Sequence, residues 1–166
     1  MITPEYIQKM ASYNSWMNEG IYEACGPLSD KNRKKDCGAF FSSIHETLNH
    51  HLWGDQIWMH RLAGTSAPQS EDIQGSVSQY ESYEDLRRER DAFDLFITEW
   101  ADGIAPAMLE GELSWYSGAA GREITKPRWL LITHMFNHQT HHRGQVHCML
   151  TQFGVKTPTT DLPLMP

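Results

Sequence analysis

Five of the nine histidines fall in one stretch, His134 to His147, which reads HMFNHQTHHRGQVH. The other four, His45, His50, His51 and His60, share a single earlier stretch. Such segregation points to two segments that meet around a shared site. Within the later stretch, His138 and His142 are four residues apart, so on a helix their imidazoles stack on one face within reach of one ion. Neutral imidazoles on an apolar face are costly without partners. A metal would satisfy both at once. A third imidazole from the earlier stretch would complete a three-nitrogen set suited to zinc, nickel or another late divalent ion. Three protein ligands leave a position for water or substrate.

Helices must position these side chains. Trp129 to Phe153 carries Leu131, Met135, Val146, Met149 and Phe153 at helical spacing, and His138 and His142 fill the gap in that stripe. The segment opens at Pro127. The earlier histidines lie on a helix expected from about Ala39 to Ala63, with Phe41, Ile44, Leu48, Leu52 and Met59 as its apolar face. His50 has small neighbours one turn away at Thr47 and Gly54, which leaves room beside its ring. His51 lies on a different row with Asp55 and Trp58. Spacing alone leaves both His50 and His51 open as the third ligand. His45 and His60 read as exposed or structural.

Two further helices complete the set. The first runs from Pro4 to about Ala24, with Thr3 as N-cap, Pro4 at the first position and Gly26-Pro27 as the stop. Ser29 caps a short turn reaching to Asp36. The third long helix runs from about Tyr83 to Gly103, with Ser82 and Asp85 resembling a capping box. Its buried face is Leu86, Phe93, Phe96, Ile97 and Trp100, and Arg87 to Asp94 reads as a solvated charged face. Gly64 to Glu81 is a long polar crossover, with ample reach for a parallel return along a helix. Glu112–Ser117 and Arg122–Thr125 read as a small hairpin or extended loop, turned at Gly118–Gly121. The tail from Gly154 has no helical pattern. The fold class expected is all-α, a four-helix bundle in one domain spanning residues 1–166, with a long crossover between helices two and three.

Composition excludes several classes. The chain has 166 residues, a net charge of −7 and a pI near 5.7. That argues against nucleic acid or an anionic membrane as partner, since both need a basic face. Cys25, Cys37 and Cys148 are widely spaced with no CxxC, which fits a reducing, cytoplasmic setting. No apolar run is long enough to span a bilayer. No GxSxG, phosphate loop or HExxH is present. Glu46 and Asp55 are the nearest carboxylates on helix two, and they read first as exposed or helix-pairing groups. No catalytic acid or base is identified.

Two motifs carry a resemblance. LNHHLWGDQIWMHRL, at Leu48 to Leu62, and FNHQTHHRGQVH, at Phe136 to His147, resemble those of the DinB/YfiT-like metal-binding family, LNH with W-x-D and then NHxxxHRGQ. The closing Gly154 to Leu162 fits as well, so the similarity covers most of the chain. The resemblance implies an up-down-down-up bundle, often a homodimer. It also implies a metal held by His50, His138 and His142, choosing His50 over His51. His51 stands where that family usually has an apolar residue. Relatives include thiol S-transferases and an isomerase that use low-molecular-weight thiols. The activity implied is a metal-dependent, thiol S-transferase-like reaction on a small-molecule substrate. The alternatives are a metal-dependent hydrolase and a non-enzymatic metal-binding bundle of the stress response.

Overall fold

Each long helix starts where a short polar side chain can cap it. The computed structural model describes residues 2–166 and is mostly helical, with four long helices and one small sheet. Helix α1 spans Pro4–Cys25, and the Thr3 hydroxyl accepts the Tyr6 N–H. Helix α2, Asp30–Arg33, is the short turn capped by Ser29. Helix α3 spans Ile44–Ala63 and begins later than the apolar pattern suggested. The reason is Ser43. Its hydroxyl accepts the Glu46 N–H and donates to the Glu46 carboxylate at 2.8 Å, a side-chain cap that fixes the start. Ala39–Ser42 instead forms a tight bridge, with Ser42 at φ 57°. Phe41 fits the helical stripe by spacing yet lies outside the helix. At the other end Gly64 adopts φ 72°, the left-handed stop that glycine allows.

The crossover contains one helical turn, α4 at Ile73–Ser76, capped by Asp72. Helix α5 spans Tyr83–Asp102, and Ser82 accepts the Asp85 N–H. The Asp85 carboxylate does not close the box; it pairs with Arg88 at 2.7 Å. Strands β1, Glu112–Ser117, and β2, Arg122–Pro127, form an antiparallel hairpin with Trp115 opposite Ile124. Pro127 ends β2 and stands just ahead of helix α6, Arg128–Gln152, rather than inside it. Arg128 donates to the carbonyls of Met108 at 3.0 Å and Leu62 at 2.9 Å, fastening the start of α6 to the end of α3.

Helix α1 packs mainly on α5, and α3 mainly on α6. Two apolar clusters result. One joins Ile7 and Ala11 to Met59, Leu62, Ile97, Ala101, Leu131 and Met135. The other joins Ile21 and Cys25 to Ile44, Leu48, Leu86, Val146 and Leu150. Between them lies a polar layer. Arg90 is 0% exposed and Asp94 5%, so the expectation of a solvated face over Arg87 to Asp94 fails at these two positions. Both continue the face of Leu86 and Ile97 at steps of three and four, which turns them inward. Arg90 Nη1 donates to Asp55 at 2.6 Å, and its Nη2 lies 2.7 Å from Asp94 as an ion-pair contact. Asn14 and Asn18 of α1 donate to Asp94 at 3.1 and 2.9 Å. Arg143 of α6 donates to Asn14 and Asn18, and Gln139 donates to Asp55 at 2.9 Å.

Arg90→Met leaves two buried carboxylates without their cation. Breaking one side of a buried ion pair costs about 3–5 kcal/mol. We expect a loss of that size in urea unfolding; a change below ~1 kcal/mol would show that the layer is not a stabilising constraint.

Candidate metal centre

Helices α3 and α6 bring one and two imidazoles to the same height. One ring nitrogen from each of His50, His138 and His142 lies within 4.8 Å of the other two. His51, the other candidate on α3, is not in this group. The outer nitrogens of two rings are held. His50 Nδ1 bonds Ser76 Oγ at 2.8 Å, and that hydroxyl donates to the Ile73 carbonyl at 2.6 Å. The ring must therefore be the donor to Ser76, leaving the Nε2 lone pair of His50 free. His142 Nδ1 meets the Gln145 amide oxygen at 2.8 Å, which can only accept, so its Nε2 is likewise unprotonated. That Nε2 stands 3.0 Å from His138 Nε2. The His138 Nδ1 is buried with no partner. Two lone pairs fixed by outer hydrogen bonds, facing a third imidazole, are a donor set that could hold a late divalent ion.

Close packing shapes the group. A Cβ at Gly54 would fall 2.4 Å from His138 Cε1, so the space beside His50 is filled by the His138 ring itself. Phe41 stacks on His50 with ring centroids 4.0 Å apart and covers His142 at 5.6 Å. A cleft of about 450 Å³ opens beside His50 and His138, walled by Trp53, Trp58 and Trp115. Sequence reasoning gave Phe41 only a place on an apolar helix face, and gave Ser76, Gln145 and Trp115 no role at the site. Gln145 had a signal, three residues beyond His142 on one helix face; Ser76, in the crossover, had none.

The two nearest carboxylates, read from sequence as exposed or helix-pairing, are engaged in the fold, and Asp55 is fully buried. Glu46 is part of the α3 cap, and Asp55 pairs with Arg90 and Gln139. His45 bonds the Tyr80 carbonyl at 2.9 Å, and His60 bonds the Thr65 carbonyl, both structural. Cys25, Cys37 and Cys148 are all free thiols.

Burial keeps the imidazoles neutral. It lowers His50 to about 4, helped by His142, and His138 to about 2, helped by His142 and His50. His51 is 1% exposed with neither nitrogen paired, and burial plus the charges of Arg90 and Arg143 hold its pKa well below the usual value.

A mostly helical chain with a histidine triad between two long helices fits a metal-binding protein. Comparison with known proteins gives the family: the DinB family model matches residues 1–166, and the chain belongs to that family. It is 26% identical over 167 positions to "Protein DinB" of Bacillus subtilis (strain 168), covering 96% of this chain and 93% of that relative. No helix among the described residues is long and apolar enough to cross a membrane.

The depressed pKa values have a pH consequence. Stability tied to neutral histidines is present above the unfolded pKa of about 6.5. It is lost as pH falls toward about 4 for His50 and about 2 for His138. For the metal-free protein we expect the melting temperature to drop by ~5 °C or more between pH 7 and 4.5, given about 2–4 °C per kcal/mol. His51→Leu should raise stability at neutral pH and flatten the drop, because it removes two unpaired buried nitrogens. A steeper drop in that variant would contradict this account.

Proposed function

We propose that this chain is a single-domain four-helix bundle that binds one divalent ion, zinc or nickel, through His50, His138 and His142. The reaction we propose is thiol S-transferase-like, on a small-molecule substrate. The observation that carries this reading is the convergence of three ring nitrogens beside an aromatic-walled cleft. An ion bound there would act as a Lewis acid, lowering the pKa of a low-molecular-weight thiol so that it reacts as thiolate.

The protein's own groups do the rest. Ser76 and Gln145 hold the outer nitrogens of His50 and His142, so both rings keep their orientation. Phe41 covers one side of the imidazoles and shuts out water. The cleft lined by Trp53 and Trp58 would take the substrate beside His50 and His138. In the step proposed, the thiol would lose its proton to solvent and its sulfur would bond the electrophilic carbon. The carbon–halogen or epoxide C–O bond would break, releasing halide or an alkoxide that takes a proton from water. No separate general base is required once the thiol is ionised. Glu46 and Asp55 are both engaged elsewhere, so neither is offered as a base. Water at such a site would be ionised as a thiol would, so thiol dependence of turnover is what separates the transferase from the hydrolase.

The up-down-down-up order is supported by the two core clusters. The start of α1 and α6 shares one cluster with the ends of α3 and α5, and the opposite ends share the other. The free thiols support a cytoplasmic setting. The homodimer rests on the resemblance to the family alone.

Elemental analysis tests the site. We expect about one ion per chain in the purified protein, lost in His138→Ala and His142→Ala and strongly reduced in His50→Ala. His51→Leu should keep it. Gly54→Ala should weaken it, because the new methyl displaces the His138 ring. Full occupancy in all three alanine variants would remove the reading. Thiol-dependent consumption of a haloaromatic or an epoxide tests the reaction, and turnover of an ester without any thiol would favour the hydrolase. Circular dichroism after chelation should show retained helicity, since neither apolar cluster includes any of the three histidines.

A further inference from the structure

The cleft beside the histidines holds one cation with no ionic partner. Arg61 lines it, half-buried, with its guanidinium 4.8 Å from the Trp58 ring centroid and 5.6 Å from that of Trp115. No carboxylate pairs with it among the described residues. Burial lowers its proton affinity. A half-buried guanidinium within cation–π distance of two indoles and lining the cleft offers a planar fork that matches a carboxylate.

The geometry also sets a length. Gly54, Trp58 and Arg61 are four and three residues apart, so they share one face of α3. Gly54 is level with the His138 ring. Seven residues of helix separate it from Arg61, roughly 10 Å along the axis. Between the two ends, Trp58 and Trp115 meet edge to face at 5.5 Å, and Ile57 adds to the apolar wall. One end of the cleft is thus His50 and His138, the middle is largely aromatic with His134 beside Trp58, and the other end is a cation.

We propose that the cleft takes a small organic carboxylate with a flat apolar body, and that Arg61 holds the carboxylate. The body lies against Trp58 and Trp115, and the far end reaches the histidines about 10 Å away. The assignment of the histidine end as the reacting end rests on the metal-site reading above. Glu71 and Asp72 line the same cleft, so a monoanion is favoured over a dianion such as a phosphate monoester.

Calorimetry on the purified full chain, with naphthoate, neutral naphthamide and naphthyl phosphate as probes, tests this. Naphthoate should bind about tenfold more tightly than naphthamide, and naphthyl phosphate more weakly than naphthoate. Arg61→Met keeps the apolar stem against both rings and should abolish the preference for the acid. Arg61→Lys should retain part of it. A role limited to clamping the hairpin would lower the melting temperature in these variants but leave the acid-over-amide preference intact.

Chelated protein should keep the preference, because the anion is held by Arg61. Loss of the preference on chelation would place the carboxylate on the ion and overturn the proposal. Survival of the preference in Arg61→Met, tighter binding of the phosphate, or no binding of naphthoate at millimolar concentration would each overturn it too. If elemental analysis finds no ion but the Arg61-dependent preference remains, the metal reading fails while the carboxylate site stands.

Discussion

A single guanidinium in the middle of the helices constrains everything around it. Arg90 is fully buried between the carboxylates of Asp55 on α3 and Asp94 on its own helix. Charges so placed must be matched and hydrogen-bonded or the fold pays several kcal/mol for them. Asn14 and Asn18 of α1 complete the shell of Asp94, and Gln139 of α6 completes that of Asp55. All four long helices therefore have their rotation and height tied to one point. The histidine triad follows from that constraint. Gln139 stands next to His138, and Asp55 lies five residues beyond His50. Once Gln139 reaches Asp55, α3 and α6 are in register, and His50 faces His138 and His142 on the adjoining side.

The same geometry separates His50 from His51. Adjacent residues on a helix point about 100° apart, so only one of the pair can face the α6 imidazoles. His51 turns toward the charged layer, where Arg90 and Arg143 oppose its protonation and no side chain pairs with either nitrogen. An apolar residue would meet the demands of that position without loss. The HRGQ run of α6 divides in a comparable way. His142 joins the triad, Arg143 turns back to Asn14 and Asn18, and Gln145 holds the outer nitrogen of His142.

Much of this was legible in the sequence. Caps at Thr3, Ser29 and Ser82 lay where short polar residues precede apolar periodicity, and the structure uses all three. The hairpin was legible from alternation and a glycine turn. His138 and His142 were visible as a pair by spacing, whereas His50 over His51 needed the family resemblance. The start of α3 was not legible, because Phe41 fits the apolar stripe by count alone while the Ser43–Glu46 cap decides the boundary. Arg90 and Asp94 were misplaced for a related reason. Periodicity weighs a charged residue as solvent-facing, and nothing local announces that its partners wait on another helix. Such pairing is long-range, and a one-dimensional pattern does not contain it.

The division of labour in the molecule follows the same line. Helices supply the imidazoles and the charge layer that sets their register. Segments between helices supply part of the surroundings, beside Trp53 and Trp58 of α3 and Gln145 of α6. Ser76 of the crossover orients His50, Phe41 ahead of α3 covers the rings, and Trp115 of the hairpin walls the cleft. Loops carry such groups at little cost to the core, since they can change length and side chains without disturbing helix packing. The cleft is therefore a joint product: α3 contributes Trp53, Trp58 and Arg61, and the crossover and hairpin close it with Ile73 and Trp115. Shared helix packing fixes where the imidazoles meet, whereas the side chains lining the cleft are free to differ, so the architecture alone does not name a reaction.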